Sequence, residues 1–274
     1  MLQKFLIFIS VCLLYVQVHA QNTFTSVAFV KKIQGAFSLF SVDELGSLYA
    51  YTNNGQFKKY NSNLDSLAVF NDVRRYGKLF SIHAENPLRT MLYFRDYRTI
   101  ILLDRMLQLI QKVDLRKLNL YQIKAIAQSY DNKIWIFDEQ ESKIKKITLE
   151  GTVDFESTDL RLVFDEKISP AKMFEFQGYL YLFDPVNGIY MFDYYGGFKR
   201  KLIYKNLIDL QPSANYLIGR ATGELVLINP NQIDSNEFRF KDEWVNDPQI
   251  IFSSNVVFCL NRDGINKYSF KLNQ

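Results

Sequence analysis

Short apolar runs separated by polar turns recur along nearly the whole chain, and they recur with a period. One unit reads as an apolar segment, a turn, a β-rich triplet, a polar hairpin tip, a second apolar strand and an outer strand. The triplets are Leu48-Tyr49-Ala50, Leu92-Tyr93-Phe94, Ile134-Trp135-Ile136, Leu180-Tyr181-Leu182, Tyr216-Leu217-Ile218 and Val257-Phe258-Cys259. Their first members lie 44, 42, 46, 36 and 41 residues apart. Several strands per unit at a period of about 40–45 residues mark the blades of a β-propeller. Each triplet leads through a tip, such as Asn53-Asn54-Gly55, Pro185-Val186-Asn187-Gly188 or Arg262-Asp263-Gly264, into a second strand. Tips of this kind supply the positive φ that tight hairpins need.

Ahead of the triplets lie the segments placed to be innermost: Phe37–Val42, Leu79–His83, Ile123–Ala127, Ala171–Phe176, Leu207–Leu210 and Gln249–Phe252. Outer strands follow at Leu67–Phe70, Leu107–Val113, Thr152–Phe155, Phe198–Tyr204 and Phe238–Phe240. The sixth unit lacks an outer strand, while Thr23–Val30 is a spare β-rich segment ahead of the first. The pattern therefore predicts an all-β fold: a six-bladed β-propeller of four-stranded antiparallel blades, its last blade completed by the N-terminal strand. Closure removes the free sheet edge that invites aggregation. Helical spacing is sparse, with Asp104–Lys124 the best candidate. A seventh blade would not fit the 254 residues that follow position 20 at about 42 per blade.

Residues 1–20 read as a signal peptide: Lys4, the apolar run Phe5–Val16, then Val18-His19-Ala20 before Gln21. The run is shorter than the roughly 20 residues that span a bilayer, and no later stretch is long enough, so no transmembrane span is expected. Cys12 follows Ile9-Ser10-Val11, a loose lipobox, but Val11 is too bulky for it. Cleavage near Ala20 leaves residues 21–274 as a single propeller domain with Cys259 its only cysteine and His83 its only histidine. No disulfide and no Cys/His metal site can then form within one chain.

Composition sharpens this picture. The chain is 48% hydrophobic, with 17 Tyr and 23 Phe, which suits strands and a large core. The net charge of +4 falls to +3 when Lys4 is removed, and basic residues alternate with acidic ones, so nucleic acid is not an expected partner. A nucleophile triad would need His83, which lies in an apolar inner segment and reads as structural or channel-facing. Cys259, between Phe258 and Leu260, reads as a buried hydrophobe. Asp43, Asp131, Asp138, Glu139 and Asp184 fall at turns or strand ends, where aspartate bonds its own backbone. No calcium loop and no glycine-rich phosphate loop occurs, and no cofactor is expected. Lys199-Arg200-Lys201 reads as the solvated edge of an outer strand.

The hairpin tips hold one candidate binding surface. If they project to one face, Arg95, Tyr97, Arg98, Arg220 and Arg262 stand there, and Arg and Tyr are residues that interfaces favour. The stretches Val42-Asp43-Glu44-Leu45-Gly46-Ser47-Leu48-Tyr49, Asn86-Pro87-Leu88-Arg89, Tyr93-Phe94-Arg95-Asp96-Tyr97-Arg98 and Ile134-Trp135-Ile136-Phe137-Asp138 resemble the secreted propellers found widely in Bacteroidota. That resemblance implies fold and export and lends no functional residues. The resulting expectation is a non-catalytic module, periplasmic or attached to the outer membrane, monomeric by itself and binding an envelope protein. The alternative is a carbohydrate-active hydrolase or lyase using carboxylates at the channel mouth. A redox-cofactor propeller is a third reading, but inter-sheet packing accounts for the aromatic strands more simply.

Overall fold

The period resolves into six separate four-stranded sheets in the computed structural model, which describes residues 24–213, 215–231, 238–240 and 243–272. The segment 1–20 read as a signal peptide lies outside the described residues. After β1 (Phe24–Gln34), blade 1 holds β2 (Phe37–Val42), β3 (Leu48–Thr52), β4 (Phe57–Tyr60) and β5 (Ser66–Phe70). Blade 2 holds β6 (Ser81–His83), β7 (Arg89–Phe94), β8 (Thr99–Asp104) and β9 (Leu109–Asp114). Blade 3 holds β10 (Ile123–Gln128), β11 (Ile134–Asp138), β12 (Lys143–Ile147) and β13 (Val153–Glu156). Blade 4 holds β14 (Lys172–Phe176), β15 (Tyr179–Asp184), β16 (Gly188–Asp193) and β17 (Phe198–Leu202). Blade 5 holds β18 (Asp209–Ser213), β19 (Tyr216–Ala221), β20 (Glu224–Ile228) and β21 (Phe238–Phe240). Blade 6 is β22 (Gln249–Ser253), β23 (Val256–Asn261) and β24 (Gly264–Leu272), with β1 as its outer strand. All pairings are antiparallel, and the molecule is a six-bladed β-propeller.

Each triplet falls in the second strand of its blade, and these strands are buried on both faces, as Leu48-Tyr49-Ala50 and Ile134–Phe137 show. Six hydrophobic clusters result, each shared by two neighbouring blades. One joins Tyr49 and Phe57 of blade 1 to Leu92 and Phe94 of blade 2, and the last joins Phe258, Leu260 and Ile265 of blade 6 to Phe40, Leu48 and Ala50 of blade 1. Cys259 is buried in the cluster between blades 5 and 6.

First strands of neighbouring blades approach one another, β2 with β6 and β22, β10 with β14, and β18 with β22, so they surround the central axis. Glutamines stitch several of them together. Gln249 donates to the Phe40 carbonyl (2.8 Å) and accepts from the Phe40 N–H (3.0 Å). Gln211 donates to the Ile250 carbonyl (3.0 Å) and accepts from the Phe252 N–H (2.9 Å). Gln128 donates to the His83 carbonyl at 2.8 Å. A primary amide offers the same donor and acceptor as a peptide group, so it satisfies backbone groups that have no partner strand on the axial side.

The ring closes through β1, which pairs with β24 from Phe24↔Leu272 to Gln34↔Gly264. Gly264 has φ +151°, and any Cβ there would overlap the Ile33 carbonyl of β1, so glycine is required at this contact. The best helical candidate, 104–124, contains β9 and a short 3₁₀ turn, Leu115–Leu118, in which the Asp114 carboxylate accepts from the Arg116 N–H. One expectation is corrected. The inner strand of blade 5 lies later than the apolar run, at Asp209–Ser213, and includes Pro212, which an innermost strand tolerates because one edge is free.

Gln249→Ala would leave both Phe40 backbone groups unpaired and is expected to lower stability by about 1–3 kcal/mol, a drop of several degrees in Tm by calorimetry. Burial pushes the Tyr93 and Tyr181 hydroxyls up to about 12, from an ordinary 10.0. Below pH 10 their contribution is fully present; above it only the unfolded chain ionises, so stability falls as pH rises toward 12. The Tyr181 hydroxyl has no hydrogen-bond partner among the described residues. Tyr181→Phe is therefore expected to be neutral or stabilising by up to about 1 kcal/mol at neutral pH, and to raise the midpoint of alkaline unfolding.

Candidate binding face and channel mouth

Four antiparallel strands per blade sort the loops onto two faces. The tips between second and third strands share one face with the crossovers between blades, here called the tip face. The turns after first and third strands form the other, the mouth face.

The five residues read as a tip surface have divergent surroundings. Arg95 is half-buried, with its guanidinium 3.3 Å above the Phe80 ring and Nη2 donating to the Lys124 carbonyl (2.8 Å) of blade 3. Arg98 has φ 49° and donates through Nε to the Tyr121 carbonyl (2.9 Å). Tyr97 is exposed, with its ring lying where a side chain at position 77 would sit, so Gly77 makes room for it. Arg262 is exposed at the tip of blade 6. Arg220 does not stand on the surface: it is 8% exposed and turns inward, donating to the Asp247 (2.5 Å) and Pro248 (3.2 Å) carbonyls of the crossover into blade 6. That bend of chain presents carbonyls that need donors, and Arg220 supplies them.

Sequence reasoning passed over an aliphatic patch on the same face. Leu162 (84% exposed), Ile203 (75%) and Val186 (74%) are the most exposed large hydrophobic residues in the described chain, and Val163 and Ile208 accompany them. They come from the two crossovers flanking blade 4 and from the tip of blade 4 itself. Hydrogen bonds tie the tip of blade 4 to both crossovers: Asn187 Nδ2 to the Lys167 carbonyl (3.0 Å), Ser169 N–H to Asp184 (2.8 Å) and Asn206 N–H to the Pro185 carbonyl (3.4 Å). Arg161, Lys167 and Lys205 are exposed around it.

On the mouth face, a cavity of about 320 Å³ opens among the turns after the first strands of blades 1 to 3 and the end of β14. Glu44, Glu85, Asn86, Gln128, Tyr130, Phe174 and Glu175 are among its walls. Ser81, His83 and Glu85 alternate along one strand and its extension, so they share a face. Ser81 Oγ lies 2.9 Å from His83 Nε2, and His83 Nδ1 lies 3.7 Å from Glu85 Oε1. Because Glu85 lines the cavity, His83 belongs to the channel side. Desolvation pushes the Glu85 carboxyl up, but the hydrogen bond and charge of His83 outweigh it and hold the group below its ordinary value. Glu175 is fully engaged, accepting from Ser129 Oγ (2.6 Å), the Tyr130 N–H (2.9 Å) and Trp135 Nε1. The Lys146 ammonium sits 4.1 Å from the Trp135 ring and also over Tyr130 and Tyr194.

The turn aspartates have local work. Asp43 accepts from the Leu45 and Ser47 N–H groups and from Tyr49 Oη, Asp138 from Gln140 N–H and Lys145 Nζ, and Asp184 from Val186 N–H. Among the described residues no group of three or more His, Cys, Asp or Glu could hold a metal ion, and no helix is long and apolar enough to cross a membrane.

No protein-family profile matches the sequence, and no curated protein matches it significantly. Solved structures do resemble the fold. A streptogramin B lyase aligns over 90% of this chain and 97% of its own, at a TM-score of 0.59 and 12% identity. Virginiamycin B lyase from Staphylococcus aureus aligns over 84% and 79%, at 0.57 and 13%. The WD40 domain of Neurospora crassa Pan2 aligns over 88% and 90%, at 0.53 and 10%. At these identities the likeness is one of fold alone.

Glu175→Ala would strand the Trp135 and Ser129 donors. It is expected to cost about 1–3 kcal/mol in a denaturant titration and to alter Trp135 fluorescence in the native baseline.

Proposed function

We propose that the chain is an exported, non-catalytic β-propeller that binds a protein of the cell envelope through its tip face. The aliphatic patch of Leu162, Val163, Val186, Ile203 and Ile208 carries this reading. Contiguous apolar surface rimmed by polar residues marks interaction sites on soluble proteins. The patch sits on loops held by a closed ring, the usual division between scaffold and recognition. Exposed Tyr97 and Arg262 extend the same face, whereas Arg95, Arg98 and Arg220 support it from beneath. Export rests on the N-terminal segment and on the resemblance to secreted propellers.

The test compares the wild-type chain with the Val186→Asp/Ile203→Asp double variant as bait in a detergent-solubilised envelope fraction. The variant's stability is expected to stay within about 0.5 kcal/mol per site, since both side chains are exposed. A stoichiometric envelope protein held by the wild type and lost from the variant supports the reading. Equal retention by both, or a wild-type dimer that the variant abolishes, overturns it.

A second reading, a carbohydrate-active hydrolase or lyase, draws on Glu44 and Glu85 in the mouth cavity, since Glu175 is committed to its three donors. Turnover of a glycan by the wild type that Glu85→Gln abolishes would favour this reading over the first.

A further inference from the structure

The mouth cavity lies on the face opposite the aliphatic patch, and its polar groups can be accounted for one by one. The Glu175 oxygens already accept from three donors. Gln128 Nε2 is spent on the His83 and Arg89 carbonyls, and Asn86 Oδ1 accepts from the Leu88 N–H. The carboxylates of Glu44 and Glu85 remain with capacity to accept, and Glu85 has His83 beside it at 3.7 Å. No lysine or arginine is among the cavity's lining residues. Lys172 is outside the lining; its charge helps hold the Glu85 carboxyl low, and its ammonium is bonded to Asp209 at 3.1 Å.

Two carboxylates on an open surface would simply be solvated. Here they face a recess of about 320 Å³ whose other walls are Pro87, Ala127, Phe174 and Tyr130. That volume is at the lower end for small-molecule sites, which run from roughly 300 Å³ upward. Apolar and aromatic walls with acceptors at one side suit a cation on a short apolar stem. The stem would displace water from Phe174 and Pro87, and the charged head would meet a carboxylate and the Tyr130 ring. An anion would be repelled, and a neutral ligand would gain nothing from the charge. The Tyr130 ring packs edge to face on Tyr194 at 5.1 Å, with the Lys146 ammonium 5.9 Å from its centroid.

The geometry points to a binding site at the channel mouth for an organic cation, a primary ammonium or guanidinium group on a short aliphatic stem, with Glu85 and Glu44 as its acceptors and Tyr130 and Phe174 as its walls. The site is separate from the tip face and does not depend on the protein-docking reading.

The test uses n-butylammonium and 1-butanol, which match in shape and differ in charge, titrated against the intact protein and followed by NMR. A blocked Gly-Lys-Gly peptide distinguishes a side chain presented on a protein from a free amine. Butylammonium is expected to bind at least tenfold more tightly than butanol, with shifts confined to residues around Tyr130 and Phe174. Glu85→Gln is expected to weaken it at least fivefold, and Glu44→Gln to do so less. Lysine peptide binding as well as butylammonium assigns the site to a protein side chain, and binding of the free amine alone assigns it to a small molecule. Equal affinity for butanol, or an unchanged affinity in a folded Glu85→Gln variant, overturns the proposal. Tyr130→Leu, at an exposed position, gives a second check: unchanged amine binding there removes the aromatic wall from the site.

Discussion

A sheet that is apolar on both faces has to be covered on both, and no blade of this protein can do that alone. Tyr49 and Phe57 of blade 1 face Leu92 and Phe94 of blade 2, while Leu48 and Ala50 of the same blade face Phe258 and Leu260 of blade 6. Each blade therefore depends on two neighbours, and the dependence runs round a circle. Stability comes from this mutual burial, to which Cys259 contributes as a buried side chain between blades 5 and 6. The joint between blades 6 and 1, where the two ends of the chain meet, is the contact on which the circle depends.

That joint is made three ways. β1 supplies the outer strand of blade 6, so main-chain hydrogen bonds join residues more than 200 positions apart in sequence. Gln249 clasps both backbone groups of Phe40 across the seam near the axis. Phe40 and Phe258 are buried in the shared cluster between these levels. The outer pairing resists fraying, the inner clasp fixes the distance of β22 from β2, and the cluster between them excludes water from both. Loop residues on either face are consequently held by a frame with little freedom to deform.

The blades were legible in the sequence because each strand needs apolar residues at short, regular spacing and each tip needs turn chemistry, and both are local. The missing sixth outer strand and the spare N-terminal one were enough to imply closure. The glutamine clasps were not legible: Gln128, Gln211 and Gln249 differ in no local respect from surface glutamines, and their role depends on strands of the next blade. Arg220 was misplaced for the same kind of reason. It sits one residue before a tip, but the carbonyls of the crossover at Asp247 and Pro248 decide where it points. The aliphatic patch escaped because Leu162, Val186 and Ile203 lie far apart in sequence and each resembles an ordinary strand-forming residue. A signal did exist in their position, since all three fall in turns or crossovers, where exposed aliphatic side chains are costly.

The two faces differ in what their chemistry can hold. On the tip face, arginines are drawn inward as struts: Arg95 against Phe80 and Lys124, Arg98 against Tyr121, Arg220 against the crossover. These three donors are spent on backbone carbonyls, and Leu162, Val186 and Ile203 are exposed on that face beside Arg161, Lys167 and Lys205. On the mouth face the reverse holds. Tyr130 and Trp135 are contacted by Lys146 and Glu175, while Glu44 and Glu85 keep acceptor capacity facing a recess. A broad apolar surface suits another protein, whose own apolar area gains by being covered. A small recess with apolar walls and acceptors at one side suits a ligand that fits inside it. The two proposed sites lie on opposite faces, with the closed ring of blades between them.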